Sequence, residues 1–137
     1  MNTCLRIFLL ASISAALVVS VAAQNGQPLR VTQGPILESV SADSAVVAWS
    51  TNVDGSTKVF YGTDPNNLVQ LAEAPWGANG HTHRAKMSNL QPNTTYYFRV
   101  ETGQAQGGNG EEVENRRPFS FRTTVPGAAP HHYERPQ

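Results

Sequence analysis

The sequence holds one cysteine, Cys4, in 137 residues. It lies near the extreme N-terminus, so no disulfide can staple the rest of the chain, and stability there has to come from an apolar core. Charge of one sign is also missing: ten basic residues face ten acidic ones. Such a chain carries no strong field to draw it to nucleic acid or to an acidic membrane. Helical patterning is absent beyond the first 23 residues, where no apolar period of 3.6 extends over two turns. The chain also lacks the marks of several chemistries. There is no GxSxG turn, no GK[ST] after the glycines of Gly103–Gly110, and no RGD tripeptide. These absences speak against a nucleophilic hydrolase, a phosphate-cradling loop and an integrin-binding loop.

The one long apolar run is Ile7–Val21, preceded by the charge of Arg6 and followed by the small residues Val21-Ala22-Ala23. This pattern predicts a secretory signal peptide over residues 1–23, cleaved before Gln24, and places the protein outside the cytoplasm as a secreted or periplasmic domain. The run is short for a bilayer span, so no membrane insertion is expected after cleavage. About 110 residues would then remain, enough for one domain with its own core. Residues 24–34 read as a polar N-terminal arm, with "LRV" able to pair at an edge.

From Pro35 the chain becomes a series of short β-rich runs: "SAVVAWS", "STKVFYG", "HRAKM", "TYYFRV" and "FSFRT", with "ILESV" and "LVQLA" as weaker ones. Turn-rich "NVDG", "GTDPNN", "GANG", "NLQPN" and "GGNG" separate them. Seven strands in about 90 residues predict an all-β antiparallel sandwich. Period-two alternation assigns the faces. Ala45, Val47 and Trp49 point inward, as do Thr57, Val59 and Tyr61, then Ala85 and Met87, then Tyr96, Phe98 and Val100, and lastly Phe119 and Phe121. Lys58, Phe60, Tyr97 and Arg99 point outward. In "LQPNTTYYFRV", Leu90 caps the core, Pro92 opens a corner, and Tyr96 turns its ring inward with its hydroxyl reaching back to the backbone. That is a tyrosine corner.

Trp49, Tyr61 and the Leu90-x-Pro92-x-Thr94-x-Tyr96 pattern resemble a fibronectin type III domain, an immunoglobulin-like sandwich. "VVAWST", "VFYGTDPNNL", His83, "LQPNTTYYFRV" and "FSFRT" bring the chain closer to the N-terminal domain of purple acid phosphatases. The likeness runs from about Pro35 to Thr124 and implies a domain that precedes a metallophosphoesterase domain. That second domain supplies its metal ligands from GDxxY and GNH motifs. Neither motif occurs in this sequence, so the resemblance carries no metal ligand onto any residue here. Catalytic residues, cofactor and metal site are therefore all expected to be absent.

The remaining candidates are surfaces. Phe60 and Tyr97, flanked by Lys58 and Arg99, form a possible binding face on neighbouring strands for a protein or a carbohydrate; alternatively the rings only cover their cross-strand neighbours. Trp76 could stack on a ligand or tuck against the core. His81 and His83 share a face but are too few for a metal site; His83 is in phase with the inward Ala85 and Met87, which places it partly buried at the rim. Asn93-Thr94-Thr95 is a formal glycosylation sequon. The tail 126–137, with His131 and His132, reads as disordered. Three roles fit: a secreted binding module, an accessory domain to a phosphatase supplied elsewhere, or a spacer in an envelope assembly.

Overall fold

The computed structural model describes residues 29–74, 80–103, 113–114 and 117–137. The expected signal peptide, Trp76 and most of the glycine-rich Gly103–Gly110 stretch lie outside them. The strands are β1 (Val31–Val40), β2 (Ala45–Thr51), β3 (Thr57–Gly62), β4 (Gln70–Ala74), β5 (Thr82–Met87), β6 (Thr95–Thr102), β7 (Val113–Glu114) and β8 (Phe119–Arg122). One sheet runs β1-β2-β5. The other runs β4-β3-β6, with β7 and β8 pairing to successive stretches of β6. β7 and β8 thus make one interrupted edge strand, giving seven strand positions. All pairings are antiparallel, and the described residues contain no helix. This is the predicted all-β sandwich.

The alternation decides the faces as expected. Strand β6 reads half-buried and buried in strict turn from Thr95 to Thr102, and β5 alternates exposed and buried. Val47, Val59, Met87 and Phe98 meet between the sheets with essentially no exposure. Phe98 and Tyr96 both pack rings on Phe121, at 5.9 Å in each case. Such aromatic contacts add to the area they bury.

The corner before β6 is present. Gln91 N–H donates to the Tyr96 hydroxyl at 2.9 Å. Asn93 supplies the left-handed residue, with φ of 51°, a conformation asparagine tolerates better than most residues. Thr123 ties the corner to the end of β8: its Oγ1 accepts from Thr94 N–H at 2.9 Å and donates to Gln91 O at 2.6 Å.

Two boundaries differ from the sequence reading. The sandwich begins inside the expected arm: Leu29 is buried, Arg30 exchanges hydrogen bonds with Asn52, and β1 starts at Val31. The larger correction concerns the tail. Residues 126–137 are laid against the fold. Val40 and His131 exchange two backbone hydrogen bonds of 2.9 Å, as do Leu37 and Glu134. Gln137 then exchanges bonds of 2.7 and 3.0 Å with Ser120. This segment is a strap across the seam between β1 and β8. Proline and glycine in "VPGAAPHHYERPQ" argue against a regular element. The backbone groups of two edge strands supply non-local partners that composition does not reveal.

Candidate functional site

The register of the five-stranded sheet assembles the predicted face. Lys58 lies opposite Glu101, Phe60 opposite Arg99, and Gly62 opposite Tyr97. On the other side of β3, Lys58 meets Glu73 and Phe60 meets Leu71. Directly paired residues project to one side of a sheet, so Phe60, Tyr97, Lys58 and Arg99 share the outer face. Both rings are half-buried, because Leu71 and Arg99 flank Phe60 across the ladder. Lys58 Nζ lies 3.7 Å from Glu101 Oε1. Gly62 puts no side chain beside Tyr97; the backbone of Asn67–Val69 packs there instead, 3.1 Å from where a Cβ would lie. Leu71 is 47 % exposed and Val69 is 74 % exposed, so the apolar area continues to the β4 edge. That extension was missed because "LVQLA" alone does not say which neighbour β4 pairs with.

The histidines separate. His83 is only 1 % exposed, deeper than a rim position. Its ring stacks on Trp49 at 5.1 Å. Thr51 Oγ1 lies 2.8 Å from Nε2 and Thr57 Oγ1 lies 2.8 Å from Nδ1. The Thr51 hydroxyl already donates to Val53 O at 2.7 Å, so it accepts from Nε2–H. Nδ1 is then the acceptor for the Thr57 hydroxyl. Both nitrogens are engaged and neither faces a ligand. Burial pushes the imidazole below its ordinary value, opposed by the charge of Asp54 and assisted by His81. His81 is solvent-exposed and pairs through Nε2 with Asp54 Oδ1 at 3.0 Å. Among the described residues no group of three or more His, Cys, Asp or Glu could hold a metal ion. No described helix is long and apolar enough to cross a membrane.

A groove of about 660 Å³ lies on the three-stranded sheet beside the strap, walled by Pro35, Ser50, Arg84, Phe119 and Arg135 among others. Of its two arginines, Arg84 is engaged: its Nε and Nη2 donate to the two Glu38 oxygens at 2.5 and 2.6 Å. This fork holds the Glu38 carboxyl below the ordinary carboxylate range. The groove was invisible in sequence because part of its wall is the strap. His131 and His132 are directed elsewhere, His131 to Glu134 at 2.9 Å and His132 to the Glu38 carbonyl at 3.2 Å.

The family described as purple acid phosphatase, N-terminal domain, matches residues 32–123, which span both sheets. A phosphoenolpyruvate phosphatase from Allium cepa is 28 % identical over 87 residues, covering 58 % of this chain and 17 % of its own length. The chain therefore spans about a sixth of that relative. Among solved structures, the sensor domain of the anti-sigma factor RsgI4 of Pseudobacteroides cellulosolvens aligns with a TM-score of 0.41 and 16 % identity, covering 73 % of this chain and 98 % of that one.

Proposed function

We propose, for a chain that belongs to the purple acid phosphatase N-terminal domain family, the role of an exported, non-catalytic accessory module. It binds a partner through the outer face of the five-stranded sheet. Any phosphatase chemistry associated with it is carried out by a metallophosphoesterase domain outside the described sandwich. The observation that carries this reading is the extent of the family match, which falls on the sandwich itself.

The chemistry of the site supports it. Two-metal hydrolysis needs several carboxylates and imidazoles converging on ions about 3.5–4 Å apart. Among the described residues the buried imidazole is committed to Thr51 and Thr57, and the exposed pairs His81–Asp54 and His131–Glu134 offer two ligands each. The aromatic face has the makings of a contact surface: half-covered rings, an apolar margin and a charged rim.

The experiment is a phosphomonoesterase assay of the purified chain, with and without divalent metals. No turnover is expected. Activity that copurifies with the chain through successive steps would overturn the non-catalytic reading. Export is tested by sequencing the mature N-terminus, expected at Gln24; recovery of the intact leader in the cytoplasm would overturn it. For the face, Phe60→Ala with Tyr97→Ala should weaken partner recovery more than it weakens folding; equal recovery by wild type and double variant would overturn the binding face.

A further inference from the structure

The outer face of the five-stranded sheet has a hidden symmetry. Glu73 on β4 pairs across to Lys58, and Phe60 lies two residues along β3. Phe60 pairs with Arg99, and Tyr97 lies two residues along β6. Tyr97 pairs with Ser120, and Arg122 lies two residues along β8. Glu73, Phe60, Tyr97 and Arg122 therefore fall on one diagonal at equal steps of about 8 Å. Read from either end, the diagonal runs charge, ring, ring, charge, with the charges opposite.

The corner charges are available. Glu73 is exposed. The nearby Lys58 and Glu101 offset each other, so that corner is acidic. Arg122 is exposed and is steered by two neutral oxygens, Asn93 Oδ1 at 3.1 Å and Thr95 Oγ1 at 3.5 Å. These hold its direction without cancelling its charge.

The geometry points to a second copy of this chain as the occupant of this face. Resting on the reading of this face as a binding surface, the inference is a two-fold dimer whose axis lies in the plane of the face, perpendicular to the diagonal. The rotation lays Glu73 of one copy over Arg122 of the other, and Phe60 over Tyr97, and it does so twice. An isologous contact repeats every pairing in this way. The strands of the two copies cross steeply, the orthogonal class of sheet packing. Leu71 and Val69 extend the apolar contact beyond the rings.

The association is weak. The outward positions of four short strands number fewer than the roughly 20–30 residues a side of a standard interface. Arg99, the cross-strand partner of Phe60, falls near the axis, so the two copies place like charges close together there. Dissociation in the micromolar range or weaker is expected.

Sedimentation velocity of the purified chain over a concentration series tests this. Wild type should shift from monomer to dimer. Glu73→Arg and Arg122→Glu should each weaken dimerisation about a hundredfold, because each places two like-charge contacts across the axis. Mixing the two variants, or combining both substitutions in one chain, should restore it. Both sites are exposed, and an unchanged thermal midpoint excludes misfolding as the cause. A wild type that stays monomeric throughout, or swaps that fail to rescue each other, would overturn the dimer. If the chain stays monomeric yet Phe60→Ala with Tyr97→Ala still abolishes capture of a metallophosphoesterase, the dimer fails and the binding face stands.

Discussion

Trp49 and His83 stack inside the sandwich, and each is fastened to the opposite sheet by a threonine. Trp49 Nε1–H donates to Thr102 Oγ1 at 2.8 Å, linking β2 to β6. His83 on β5 receives Thr57 from β3. These polar links between two apolar layers specify how the sheets sit on one another. A buried hydroxyl or ring nitrogen left without its partner costs about 1–3 kcal/mol.

The folded pKa of His83 is lowered by burial, so below about 6.5 the unfolded chain binds a proton that the native state refuses. Stability should fall as pH drops from about 6.5 toward the lowered native value, then level off with respect to this group. His83→Phe should be less stable at pH 8 yet lose this component of the slope. Urea midpoints of the two proteins across that window check it. Parallel curves would show that His83 is not the titrating group.

Tyr96→Phe should lower stability by about 1–3 kcal/mol, because Gln91 N–H loses its acceptor at the corner. The ring stays in place, so the core contact with Phe121 is retained. Equilibrium denaturation gives the difference, and an unchanged midpoint would remove the corner from the account of stability.

Gly34→Ala should cost about 1–3 kcal/mol. Gly34 has a φ of 88°, and a methyl group there would lie 2.9 Å from Ala48 O. Register shifts on both sides of this position allow β1 to bend over β2 only if no side chain intervenes. Thermal unfolding of the variant reads the penalty directly.

Removing residues 126–137 should lower the unfolding midpoint and cause concentration-dependent association. The strap pairs with the free edges of both β1 and β8, and exposed edges recruit other strands. In hydrogen exchange, the amides of Leu37, Val40 and Ser120 should lose protection first. Unchanged exchange at these three amides would mean that the strap is not held in solution.

The strands were legible because their inward residues recur with period two. "TYYFRV" announces its buried face without help from any other part of the chain, and the proline, asparagine and tyrosine of the corner act within six residues. Lys58, Phe60, Tyr97 and Arg99 could also be assigned to the outer face from β3 and β6 alone. The Leu71 margin could not, because it depends on β4 pairing to β3. His83 was assigned a facing direction correctly but too shallow a position. Its depth comes from Trp49 above it and from threonines on two other strands.

Local pattern thus determined the class of fold, the faces of the strands and the corner, since each depends on neighbours a few residues apart. Tertiary pairing alone decided the strap, the enclosure of His83 and the diagonal from Glu73 to Arg122. Each of these joins residues from strands distant in sequence. Backbone hydrogen bonding across an edge is nearly blind to side-chain identity, so composition gives no sign of where such partners will meet.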